Sequence, residues 1–124
     1  LAVFAAVQAA LGGASFATHW VSDPVYSDKE EGLARVARAA PAGAARVVLL
    51  GSSRTGFGFA AGEVEGIAAE AGVPAAAVNF GVPGSGPITQ LIYLRRLLAA
   101  GHRPDLLVVE VLPPLLADMP GGPA

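Results

Sequence analysis

Residues 51–59, "GSSRTGFGF", follow a run of valines and leucines and place two serines and an arginine directly behind an apolar segment. Gly51 lets the chain turn sharply where that segment ends, which leaves Ser53 at the start of the next one. A serine at a strand-to-helix turn is suited to nucleophilic attack on a carbonyl, with adjacent backbone N–H groups available to an oxyanion. Arg54 could bind an anionic group or pair with Glu110. A second polar stretch, "NFGVPGSGP" at 79–87, offers Asn79 as a side-chain amide and Gly81 as a second backbone donor. Each of these residues also has a plainer reading. A Gly/Ser-rich segment can be only a turn, Gly81 and Gly84 can serve close packing, and Asn79 can cap a turn locally.

What would position these residues is legible in the hydrophobic rhythm. "ARVVLLG" (45–51) is a short, continuous apolar run of the kind that forms a strand covered on both faces. "PAAAVNFG" (74–81) reads as a second strand, weaker because alanine favours helix. "PDLLVVEVLPP" (104–114) reads as a third, ended by two prolines that cannot continue it. Between them, "AAGEVEGIAAEAG" has Val64, Ile67, Ala68 and Ala71 at helical spacing with Gly72 as its stop. "GPITQLIYLRRLLAAG" predicts a helix with Pro87 in its first turn and Ile88, Leu91, Ile92, Leu94 and Leu98 as its buried stripe. Its Arg95 and Arg96 read as a solvated face. Ahead of the first strand, Ser27 and Glu30 form a capping-box pattern for a helix with Leu33, Val36, Ala37 and Ala40 on one face, stopped by Pro41.

Strands alternating with helices predict the α/β class, a parallel sheet with helices on both faces. In such a sheet every strand ends on one edge, and ligands bind beyond those carboxyl ends. "GSSRTG", "NFGVPGSG" and "EVLPP" therefore converge on one candidate site.

The chain has 124 residues, which allows one domain of ordinary size. Its net charge of −2 and lack of any Lys/Arg cluster predict no nucleic-acid partner. With no cysteine and two distant histidines, no metal centre is expected, and disulfides and thiol nucleophiles are excluded. "GSGP" before a helix matches neither phosphate-loop pattern, so no nucleotide cofactor is expected. Residues 1–17 carry no charge. The segment 1–20 approaches the length of about 20 residues that a bilayer crossing needs, and Trp20 beside His19 suits an interfacial anchor. A membrane anchor is the expectation here. A signal peptide cleaved near Ser15-Phe16-Ala17 and an Ala-rich core helix are the alternatives. The first two place the remainder outside the cytoplasm. Residues 21–44 then form a connector and capped helix, and 45–124 the α/β part, expected to be the N-terminal portion of a longer protein.

These blocks resemble the SGNH (GDSL) hydrolase superfamily. "GSSRT" looks like its GDS-x-x block with Ser53 at the nucleophile position. "NFGVPGSGP" looks like its second block, with Gly81 as the oxyanion-hole glycine, and "RPDLLVVEVLPP" falls where the third belongs. The resemblance covers residues 45–115 and implies a flavodoxin-like three-layer α/β/α fold. With the hydrophobic N-terminus it is similar to envelope-associated bacterial members, implying a serine esterase or O-acyltransferase without a cofactor. Its substrate would be an acylated carbohydrate or small ester. Arg54, Asn79 and Glu110 would line the substrate site. Ser52 replaces the family's aspartate, the third block lacks its asparagine, and no Asp-x-x-His block is present. His102 precedes the third strand, on the amino edge of the sheet, so it cannot reach Ser53. His19 belongs to the membrane boundary, and Asp118 is a poor base for a serine hydroxyl. A non-catalytic binding or scaffolding domain is the alternative.

Overall fold

The structure, a computed structural model, describes residues 1–17 and 23–113. His19, Trp20 and Asp118 lie outside the described residues. The chain divides into two units, Leu1–Arg35 and Val36–Ala124.

In the first unit, α1 (Ala2–Ala17) is an uncharged helix of 16 residues. No helix among the described residues is long and apolar enough to cross a membrane. The next helix, α2 (Pro24–Ala39), begins earlier than the Ser27–Glu30 pattern suggests. Asp23 caps it instead: its carboxylate accepts the Tyr26 N–H at 3.0 Å. Pro24 supplies a first helical residue whose absent N–H costs nothing there. Ser27 is buried inside the helix and donates back to the Asp23 carbonyl at 3.1 Å.

In the second unit, β1 (Ala45–Gly51), β2 (Ala75–Gly81) and β3 (Leu106–Val109) form a parallel sheet in the order β2-β1-β3. The fold class is thus α/β. Ala45 aligns with Ala75 and Gly51 with Gly81 along the whole of β1 and β2. Val47 to Leu50 align with Leu106 to Val109. The alanine-rich β2 is a full strand of seven residues because Ala76, Ala77 and Val78 are buried against a central partner, and burial overrides propensity.

Between β1 and β2 lie two helices, α3 (Ser53–Gly58) and α4 (Ala61–Glu70). The glycine-rich stretch behind β1 is therefore a short helix rather than an open loop. Gly72 follows α4 at φ +74°, and the Val73 N–H returns to the Ala68 carbonyl, which closes that helix as a left-handed cap. α5 (Pro87–Ala99) connects β2 to β3 and starts on Pro87.

The alternation of β1 sorts the core into two layers. Val47, Leu49 and Ala77 pack with Ala61 and Val64 on the α4 face. On the opposite face Phe80, fully buried, meets Tyr93 of α5 edge-to-face at 6.1 Å. Here the α5 expectation needs correction: Gln90, Tyr93 and Leu97 are its buried stripe, while Ile88, Leu91, Ile92 and Leu98 are exposed and Leu94 is half-buried. That helix is apolar on most sides, so spacing alone does not phase it.

Candidate functional site

The strand order places a topological switch point between β1 and β3, where a sheet of this kind leaves a crevice beyond the strand ends. Gly51, Ser52 and Ser53 leave β1 there, and Glu110 leaves β3.

Ser52, 8% exposed, is the N-cap of α3; its hydroxyl accepts the Arg54 N–H at 3.3 Å. The same residue is bound to Glu110 on two counts. Its N–H donates to Glu110 Oε2 at 2.8 Å, and its hydroxyl donates to the carboxylate at 2.8 and 2.9 Å. Thr55, also buried, adds its hydroxyl to Oε2 at 2.8 Å. The Ser52 N–H, then the Thr55 and Ser52 hydroxyls, hold the Glu110 carboxyl down at about 2, from an ordinary 4.5. Glu110 is therefore ionised at neutral pH and cannot act as a general acid. Of the two readings of Arg54, the pair with Glu110 is not what forms. Glu110 is taken by the two shorter hydroxyl side chains, and Arg54 is exposed with no hydrogen bond from its guanidinium among the described residues.

Asn79 lies in β2 opposite Leu49 and reaches α3. Its Nδ2 donates to the carbonyls of Thr55 at 2.9 Å, Gly56 at 3.3 Å and Phe59 at 2.6 Å. Its Oδ1 accepts the Gly81 N–H at 2.9 Å. Parity explains the last bond. The Val82 N–H returns to the Gly51 carbonyl, so the alternation of a strand directs the Gly81 N–H away from β1. The amide expected to serve an oxyanion is thus engaged by a neighbouring side chain. Gly81 also meets a steric demand. A Cβ there would overlap the Gly56 N and lie 2.6 Å from Gly56 Cα and 2.9 Å from the Ser52 carbonyl oxygen.

Ser53 is half-buried, the first residue of α3, and its hydroxyl has no hydrogen bond among the described residues. The structure brings Ser53, Arg54 and Glu110 together at the β1/β3 edge, with Asn79 and Gly81 behind them at the end of β2. His102 precedes β3, at the opposite edge. Beside α3 a cleft of about 270 Å³ is lined by Leu49, Arg54, Thr55, Phe59, Val108 and Glu110, among others. Among the described residues no group of three His, Cys, Asp or Glu side chains is placed to hold a metal ion.

Thr55 has no expected role from the sequence, and Ser52 figures there only as the replacement for the family's aspartate. The signal that could have found them is Gly51 at the end of β1: a side-chain hydroxyl directly after that strand, and another one turn later, face the carboxyl end of the neighbouring β3.

Fold and site together define an α/β protein whose parallel sheet gathers hydroxyl, amide and carboxylate groups at its carboxyl edge. No protein-family model matches the chain, and no curated protein or solved structure matches it.

Proposed function

We propose that this chain carries the nucleophile-bearing part of an SGNH-like serine esterase or O-acyltransferase, acting on acyl groups of cell-envelope carbohydrate. The observation that supports it is the state of Ser53. The neighbouring hydroxyls of Ser52 and Thr55 are tied to Glu110, and Asn79 secures the far end of α3, while the Ser53 hydroxyl has no partner among the described residues. It stands at the first position of a helix, behind the central strand of the sheet, where a nucleophile is best presented. In this reading the sheet belongs to a flavodoxin-like three-layer fold, and the N-terminal segment anchors the protein at the extracytoplasmic face of a membrane.

The Ser53 oxygen would add to the ester carbonyl, its proton passing in this reading to a histidine beyond residue 124. Collapse of the tetrahedral adduct would expel the sugar oxygen as the alcohol, and water or a second hydroxyl would then take the acyl group. The Ser53 N–H would be one backbone donor to the developing oxyanion. Gly81 can contribute only if its N–H leaves Asn79 Oδ1.

That bond favours a second reading, a binding or scaffolding domain that keeps the fold without the chemistry. One experiment separates the two. The full-length protein is treated with a fluorophosphonate probe and adducts are located by peptide mass spectrometry, with Ser53→Ala as control. Labelling at Ser53 that the substitution removes supports the enzyme. Folded protein that takes up no label refutes it.

A further inference from the structure

We propose that Glu110 is a positioning residue: it fixes the first turn of α3, and so the orientation in which Ser53 is presented. This inference rests on the nucleophile reading of Ser53.

The geometry has three parts. Both carboxylate oxygens are occupied by the Ser52 N–H, the Ser52 hydroxyl and the Thr55 hydroxyl, all within 2.9 Å, so Glu110 faces the protein rather than a substrate. The bonds reach both the residue before Ser53 and the one a turn later in sequence, which brackets the Ser53 backbone between two fastened points. Gly51 makes room for this arrangement. A Cβ at Gly51 would overlap Thr55 Oγ1 and come within 2.6 Å of Glu110 Oε2. Glycine is thus the one residue at 51 that admits the clasp without displacing it.

The sign of the charge sharpens the argument. A fixed anion beside Ser53 opposes formation of an oxyanion, so the benefit of Glu110 to acyl transfer must be its shape and its accepting oxygens. A carboxamide reproduces most of that. Its oxygen can accept the Ser52 N–H and the Thr55 hydroxyl, and its NH₂ can donate to the Ser52 oxygen once that hydroxyl rotates.

The test compares Glu110→Gln and Glu110→Ala in the full chain, each shown to be folded by circular dichroism, for the rate of fluorophosphonate labelling at Ser53. Glu110→Ala is expected to lose about ten- to a hundredfold, the scale of a misplaced reacting group, and Glu110→Gln to stay within about threefold of the parent. Thr55→Val, which removes one bond and no volume, is expected to lose a smaller factor and replaces Glu110→Ala if that variant does not fold. An unchanged rate in Glu110→Ala overturns the proposal. Equal losses in Glu110→Gln and Glu110→Ala also overturn it, because charge would then be what matters. If the parent itself is not labelled, the nucleophile reading fails, and the clasp is read independently by hydrogen exchange. Faster exchange of the Ser52 and Gly56 amides in Glu110→Ala supports it, and unchanged exchange refutes it.

Discussion

Replacing Asn79 with aspartate exchanges one atom group and reverses the sign of three contacts. In the parent, Nδ2 points at the carbonyl oxygens of Phe59, Thr55 and Gly56, 2.6, 2.9 and 3.3 Å away, and Oδ1 accepts from Gly81. Only this orientation of the amide matches donors to acceptors. Asn79→Ala abolishes the whole set. Three of these four bonds are short, and at about 1 kcal/mol net for each the loss is about 3 kcal/mol. Asn79→Asp keeps the bond to Gly81 but sets an anionic oxygen against three carbonyls, so at neutral pH it should be at least as destabilising as the alanine. Those carbonyls disfavour the charged form and raise the variant carboxyl above its unfolded value of about 3.9. The penalty therefore grows as pH rises from the unfolded value through the raised folded one, then levels off. On acidification towards pH 4 the gap to the parent should narrow, since a protonated carboxyl can again donate once. Urea unfolding followed by circular dichroism at pH 7 and pH 4.5 measures this for parent and both variants. A parent-like midpoint for Asn79→Asp at pH 7 would refute the claim that this amide holds α3 by donation.

Two further outcomes follow from the same contacts. Gly81→Ala forces a Cβ into the backbone of Gly56 and the Ser52 carbonyl, which no rotamer change can relieve, so its urea midpoint should fall by the equivalent of about 3 kcal/mol. A midpoint within error of the parent would show that β2 and α3 do not approach as described. Glu110 should impose an acid limit of its own: its folded carboxyl is depressed to about 2, so the stability it contributes is complete above about 4.5 and is lost as pH falls from there towards 2. Glu110→Gln should flatten that part of the pH–stability curve, and an unchanged slope would remove the carboxylate from the account.

How much of this was legible beforehand depends on whether a feature is local. The run "ARVVLLG" coincides with β1, since β-branched and leucine residues bounded by glycine leave little else to form. Pro87 and Gly72 mark the start of one helix and the end of another through properties each residue carries by itself. The buried face of α5 was not local. Ile88, Leu91 and Ile92 are as apolar as Leu97, and the buried face is the one on which Tyr93 meets Phe80 edge-to-face across the layer. The partners of Glu110 were not legible for a related reason. Opposite charge suggested Arg54, yet two hydroxyls near the end of the neighbouring strand take the carboxylate. That choice depends on register between strands over fifty residues apart. Gly81 is an intermediate case. Its location at the carboxyl edge was readable, but the direction of its N–H follows from strand parity, which needs the pairing of β1 with β2.

The third strand shows what these polar bonds accomplish. β3 has four residues, and Leu106, Val108 and Val109 are exposed, so burial alone gives it little hold on β1. Beyond the backbone ladder with β1, the acids that flank it add the fastening. Asp105 accepts the Arg46 N–H at 2.8 Å and its guanidinium at 3.0 Å, and Glu110 accepts from Ser52 and Thr55. The two ties are unequal. Asp105 and Arg46 are about half exposed, the setting in which a salt bridge contributes least. Glu110 takes its charge-assisted bonds from the buried Ser52 and Thr55, where solvent screens them less. The firm end of β3 is consequently the carboxyl end, where Ser53 stands. Loosening the strand at Asp105 should leave that turn in place, whereas loosening it at Glu110 should not.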